Sequence, residues 1–410
     1  MSALIWLPGQ FKTGNCLSNL LCVFLLVIPF WCFAQASITG KVVDKADGKP
    51  IPGATVFLNN ATGGTTTNKD GFFTLTAIKN GQYDLVVSCI GYETYYQRVI
   101  ANNGLINLPV IELIFKATEL HEVKINPNRE EYLKMFIQEF LGNSANARRC
   151  KILNPDIIAV NYSNKANTLT AATDDYLEIE NEVLGYKVYY KVDKFSKNYS
   201  SKLLYYEGPA RFEELKGKPS EQKKWLKNRE AIYKGSSMHF LRSVFNDNFT
   251  EQGFKVLKLT RKPNPNRPPD SVLRAKIRKY TVNTQGHPNW RDSASYYMAK
   301  MRLPKTTDYL LTTPLAKADF AAPAEDKQLM QLQYKDNLYV IYLNKAGVYQ
   351  NRVANNLHNA SDNPSTVITL SGEKAIFDSN GIFADPADIV FDGAWGMSGV
   401  ADLLPVDYMP

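Results

Sequence analysis

Histidine is scarce in this chain: there are four in 410 residues, His121, His239, His287 and His358. The residues three positions beyond them are Lys124, Arg242, Trp290 and Ser361. A His and a Glu three apart, which with a distant His would hold zinc and leave one position open for water, are therefore missing. His-Glu-x-x-His and Cys-x-x-Cys are missing as well. Gly-x-Ser-x-Gly does not occur, and Gly396-Met-Ser-Gly399 falls one residue short of it. Ser398 also lacks the preceding strand that a nucleophile elbow needs. Of five cysteines, Cys16, Cys22 and Cys32 lie in the apolar N-terminus, leaving Cys89 and Cys150 beyond it, which excludes a disulfide framework.

The stretch from Leu17 to Phe33 is apolar apart from Ser18 and Asn19, and Cys32-Phe-Ala34 follows as a small-x-small site. Residues 1–34 are therefore expected to be a cleaved export signal. A membrane span wants ~20 apolar residues, and Pro29 interrupts this run. Bulky Phe30 and Trp31 before Cys32 argue against acylation there. Cys89 continues the alternation Tyr83, Leu85, Val87 and is expected to face a core. Cys150 sits in Arg148-Arg-Cys-Lys151, where the three cations would depress the pKa of an exposed thiol, although no histidine neighbours it as a base.

Charge is uneven. Residues 187–305 hold 27 Lys and Arg against 10 Asp and Glu, a net of +17, while 373–410 hold 1 against 7, a net of −6. Interleaved with Tyr189, Tyr190, Tyr199, Tyr205 and Trp225, the cations suit an anionic polymer, which for an exported protein means lipopolysaccharide or acidic glycan and not nucleic acid. Alternating lysines are equally the solvent face of an antiparallel sheet, and a third option docks the −6 stretch on the basic sheet.

From Ser37 to Phe115, short β-runs alternate with Gly, Asp, Asn and Pro, as in a sandwich of about seven strands. Asp70-Gly71 supplies a hairpin turn tolerant of positive φ. The opening Gly40 to Asp44, Pro50-Ile-Pro-Gly-Ala54, the Asp70-Gly71 turn and Gly91-Tyr92 stand in the order of the carboxypeptidase regulatory-like domain. The chain resembles that transthyretin-like family, found in envelope proteins of the Bacteroidetes group, over about a fifth of its length. The resemblance implies a non-catalytic accessory fold, relatives of which accompany zinc carboxypeptidases and outer-membrane receptors. Lys116 to Ile125 is similar to the segment that joins this sandwich to a receptor plug. Asp270-Ser-Val272 and Asp292-Ser-Ala294 resemble O-glycosylation triplets of that group.

In place of a plug, Leu133, Phe136, Ile137, Phe140 and Leu141 follow helical spacing over 130–141, with Gly142-Asn143 as a stop. Beyond residue 150 strands are expected again, Tyr186 to Val192 alternating between lysine and apolar residues. A helix capped by Ser220 and a second over Met238 to Phe245 are expected, then strands at Phe254–Leu259, Val272–Val282 and Gln331–Leu343. The strands lack the apolar lipid face of a transmembrane barrel.

The expected architecture is mainly β: signal 1–34, β-sandwich 36–115, linker 116–127 and a larger antiparallel α+β domain at 128–410. The expected function is non-enzymatic, a binding or scaffolding surface at the outer membrane or in the periplasm, with an outer-membrane protein or anionic glycan as partner. No catalytic, cofactor-binding or metal-ligating residue is assigned. The alternative is a hydrolase of peptide or glycan, in which His239, sharing a helix face with Arg242, would meet Asp385, Asp388 or Asp392. Those carboxylates have calcium-like spacing but lack a recognised loop.

Overall fold

The computed structural model describes residues 36–102, 104–116, 128–282, 290–344 and 363–410. The expected signal, the expected linker beyond Lys116, and His121, His287 and His358 lie outside the described residues. Among those described, no helix is long and apolar enough to cross a membrane.

The first unit is the expected sandwich, with eight strands: β1 Ala36–Asp44, β2 Thr55–Leu58, β3 Gly64–Thr66, β4 Phe72–Ile78, β5 Gly81–Ser88, β6 Tyr95–Ala101, β7 Gly104–Asn107 and β8 Ile111–Leu113. β1 pairs with β4, β7 and β8 in one sheet, and the other runs β3-β2-β5-β6. Alternate residues such as Ile38, Val56, Leu75, Leu85 and Val87 fill the space between the sheets. The turn before β4 forms because Asn68 Oδ1 accepts from the N–H of Asp70 and Phe72, while Gly71 takes φ 77° beneath the Val42 carbonyl.

The second unit opens with α1 Arg129–Leu141, the expected helix. It continues through β9 Cys150–Ile152, β10 Ile158–Ser163, β11 Thr168–Thr173, β12 Leu177–Asn181, β13 Tyr186–Tyr190, β14 Lys194–Asn198, β15 Leu204–Glu207 and β16 Ala210–Glu214. Two antiparallel sheets result, β10-β11-β14-β15 and β16-β13-β12-β9. Phe136 and Phe140 project from one face of α1 onto Phe195, Tyr190 and Tyr206, with ring centroids 4.8–6.3 Å apart. α2 Pro219–Tyr233 covers the unit. Its N-cap is Lys218, two residues before the expected Ser220, because the Glu221 carboxylate reaches back to the Lys218 N–H at 2.7 Å and Pro219 suits the first turn.

The third unit follows α3 Ser237–Phe245. Its main sheet is β18-β17-β21-β22-β24, built from β17 Phe254–Pro263, β18 Thr306–Pro314, β21 Asn337–Tyr342, β22 Ser365–Leu370 and β24 Ile389–Gly393. A smaller sheet joins β19 Ala321–Pro323, β20 Met330–Leu332 and β23 Ala375–Phe377. The single strand expected over Gln331–Leu343 is thus two, broken where Asp336 takes φ 71°. The strand expected over Val272–Val282 is helical. α4 Asp270–Val282 and α5 Trp290–Arg302 form a hairpin between β17 and β18. Leu273, Ile277 and Tyr280 turn inward at i, i+4, i+7, a helical period that outweighs the β preference of Val272 and Ile277.

Residues 128–410 thus carry one core around α1 and another around α3 and the main sheet. Phe140 is fully buried in the first of these. Phe140→Ala is expected to lower stability by about 3–5 kcal/mol, measured by denaturant unfolding, with the helix–sheet ring cluster of the second unit opened.

Candidate functional site

His239 lies in the first turn of α3, whose N-cap Ser236 accepts from the His239 N–H at 3.1 Å. Its Nδ1 accepts from the Gly235 N–H at 3.1 Å, which leaves the proton on Nε2 to donate to Gln252 Oε1 at 3.0 Å. The rings of Tyr233, Phe254 and Tyr342 surround it at 4.8–5.8 Å. Burial holds the imidazole below its ordinary pKa, with Arg242 and Lys234 adding repulsion. These partners make it a neutral core histidine.

The carboxylates weighed with it are placed elsewhere. Asp385 caps a short 3₁₀ turn by accepting from the Ala387 N–H at 2.8 Å, and Asp392 lies on β24, opposite Val367. Among the described residues no group of three or more His, Cys, Asp or Glu could hold a metal ion. Ser398 follows a 3₁₀ turn, and its backbone bridges to Gly142. Cys150 is half-buried in β9, where burial and, less, Asp402 push its thiol up to about 12. Desolvation therefore reverses the depression expected from Arg148, Arg149 and Lys151. Cys89 packs half-buried against the sandwich core, and burial raises its pKa too.

What the structure does bring together is a strap, residues 395–409, laid across all three units. The Trp395 indole donates to the Gly235 carbonyl at 2.8 Å. Ser398 and Gly399 then pass against the end of α1 so closely that a Cβ on Gly399 would lie 2.4 Å from the Leu141 backbone. Asp402 accepts from Ser144 Oγ at 3.0 Å and Asn146 Nδ2 at 2.8 Å, while Val400, Ala401 and Leu404 enter the core around α1. Val406 enters the sandwich core, and its N–H donates to the Asn60 carbonyl at 2.6 Å. The Asn60 N–H in turn donates to the Ala210 carbonyl on β16, also at 2.6 Å. Asp407 accepts from the N–H and hydroxyl of Thr62, and its carbonyl from Lys79 Nζ at 2.6 Å.

Arg242 closes this assembly. From α3 its Nε donates to the Asn380 carbonyl at 2.9 Å, Nη1 to Tyr408 at 2.8 Å and Nη2 to Val406 at 2.7 Å. Only 7% of the residue is exposed. The −6 stretch therefore docks within the molecule, through backbone carbonyls to Arg242 and through the Asp402 and Asp407 carboxylates to Ser144, Asn146 and Thr62, none of which lies on the basic sheet. A cavity of about 40 Å³, room for a water, lies where Val406, Asp84, Arg98 and Asp378 meet.

The basic stretch is largely neutralised where it forms sheet. Lys187 pairs with Glu178, Lys191 with Asp193, Lys197 with Glu139 and Arg261 with Asp308, at 2.8–3.2 Å. Tyr190 is buried, which removes it from any binding face. Arg211 stacks 3.7 Å over Tyr189, and Trp225 donates to the Glu182 carbonyl at 2.9 Å. Tyr199 is half-buried beside Tyr162, and the Tyr205 hydroxyl bonds Glu207.

Residues 38–125 match the CarboxypepD_reg-like domain family. Over 77 residues the chain is 40% identical to the TonB-dependent receptor P39 of Formosa agariphila, a stretch that covers 17% of this chain and 7% of that receptor. Among solved structures it is similar to the group B streptococcus pilus 2b backbone protein, at 29% identity over 20% of this chain and 41% of that one, TM-score 0.17. It is also similar to the shaft pilin SpaA of Lactobacillus rhamnosus GG, at 13% identity over 21% and 49%, TM-score 0.18. The chain thus spans a small part of the receptor and less than half of either pilin. The resemblance read from Gly40 to Tyr92 is a family match at the level of this domain.

Arg242→Met is expected to cost about 3 kcal/mol or more, since it leaves three carbonyls without their charged donor, and to expose residues 395–409 to limited proteolysis. Arg242→Lys restores little, because one ammonium does not reproduce the fork. His239 titrates with the opposite dependence to a paired histidine. Neutral in the fold and more readily protonated when unfolded, it leaves stability complete above pH ~6.5 and lowers it as pH falls from there toward the depressed folded value. The urea midpoint is expected to fall between about pH 7 and about pH 5, and to fall less in His239→Gln.

Proposed function

We propose that this chain is a non-enzymatic protein of the cell envelope, exported to the periplasm or the outer membrane, that presents a binding surface beside receptors of the nutrient-uptake machinery. The observation that carries this reading is the sandwich, whose family and sequence it shares with a TonB-dependent receptor. Here that sandwich is welded by the strap and by Asn60 to a body of two further cores, so it is held in a fixed orientation relative to them.

The position of His239 supports a non-catalytic role. Both ring nitrogens are engaged by Gly235 and Gln252 within an aromatic cage, and neither of them bonds Ser398 or Cys150. At the far end of the sandwich, Ile90 is 92% exposed and Phe115 64%, on segments joined by a Tyr92–Phe115 bridge. Apolar side chains grouped on a surface in this way favour a protein partner.

Affinity capture with the tagged protein from detergent-solubilised outer membranes, read by mass spectrometry, is expected to recover a TonB-dependent receptor. Capture is expected to weaken in Ile90→Ser/Phe115→Ser. Recovery of no outer-membrane protein would count against the reading, as would turnover of peptide or glycan abolished by His239→Gln.

A further inference from the structure

Resting on the reading of this chain as an envelope binding protein, we propose that the α4–α5 hairpin docks on an anionic phospholipid surface. The two helices pack chiefly on each other, with the Tyr280 and Tyr297 rings stacked at 5.8 Å, and Leu273 and Ala294 are their buried residues. The base is tied down. Asp270 pairs with Arg267 at 2.5 Å and Lys305 at 3.0 Å, and Asn264 donates to the Pro304 carbonyl at 2.9 Å.

The hairpin differs from the rest of the basic stretch in what its cations meet. The two helices carry seven Lys and Arg against two Asp, a net of +5, and one of those Asp is spent at the base. Arg274, Arg278, Lys279, Arg291 and Arg302 all point to solvent, and Asp292 is the lone exposed carboxylate among the described hairpin residues. Val272, Tyr296 and Met298 on the same two helices are exposed as well, with Lys300 5.5 Å over the Tyr296 ring.

An acidic polysaccharide chain is gripped in a groove, and no hairpin residue lines either of two pockets found at the sandwich and the strap. A helix pair packed chiefly on itself, with long exposed cations and exposed Tyr, Met and Val, suits a flat anionic headgroup layer. There the cations reach phosphates while the apolar atoms settle at the acyl boundary.

The test is co-sedimentation of the whole protein with vesicles of phosphatidylethanolamine alone or mixed equally with phosphatidylglycerol. Binding is expected with the mixed vesicles, fading at about 1 M salt, where the screening length falls to about 3 Å. Arg274→Glu/Arg278→Glu/Lys279→Glu is expected to weaken it at least 10-fold, since each cation contributes about five-fold in partitioning. Lys223→Glu/Lys224→Glu/Lys227→Glu on α2 makes the same change in net charge on another face and is expected to bind normally. Thermal melting checks that both variants fold.

Equal losses in the two variants, failure to bind the mixed vesicles, or binding only to a soluble acidic polysaccharide would each overturn the proposal. Receptor capture separates the two readings: vesicle binding lost while a receptor is still captured refutes the lipid surface alone. Vesicle binding kept while capture fails refutes the receptor association alone.

Discussion

A buried guanidinium with no carboxylate partner among the described residues sets the terms for this molecule. Removing Arg242 from water carries a large desolvation cost, and the structure offsets it with three backbone carbonyls drawn from Asn380, Val406 and Tyr408. Two of those acceptors, Val406 and Tyr408, are in place only while the strap is seated, and the strap is seated only while its side chains occupy cores belonging to other units. Val406 sits in the sandwich and Leu404 beside α1. Arg242, on α3, thus ties its own unit to a strap that enters the other two cores.

Asn60 repeats this logic on a smaller scale. Its peptide group lies between β16 and the strap, giving its N–H to Ala210 and its carbonyl to Val406, and the residue takes φ 56° to do so. Asn is among the few residues that tolerate that backbone region at low cost. The loop after β2 is therefore part of the weld between sandwich and body, which gives a family module shared with a receptor a fixed mounting in this chain.

Features with local causes were readable in the sequence. The Asp70-Gly71 turn, the alternation of β5 and β13 and the helical spacing of Phe136 and Phe140 each depend on neighbours a few residues away, and each is found in place. The α4–α5 hairpin was misread at its first half because Val272, Ile277 and Val282 carry β preference, while the inward period of Leu273, Ile277 and Tyr280 decides the outcome once the second helix is there to receive it. The strap left no periodic signal at all. Its acceptors are main-chain carbonyls, which any sequence supplies, and its contacts span separations of 164 residues to Val406 and 345 to Asp407. The spacing of His239 and Arg242 was visible, but one turns to an aromatic cage and the other to the strap.

Those separations have a bearing on when the protein becomes a protein. The sandwich, whose other core residues end at Leu113, cannot seal around Val406, nor the second core, whose others end at Tyr233, around Leu404, until nearly the whole chain has been made. Long-range closure of this kind is slow, and it leaves apolar surface open in the meantime. An incomplete chain would stay loosely packed at these two cores, and would lock into shape only when Arg242 finally finds its carbonyls.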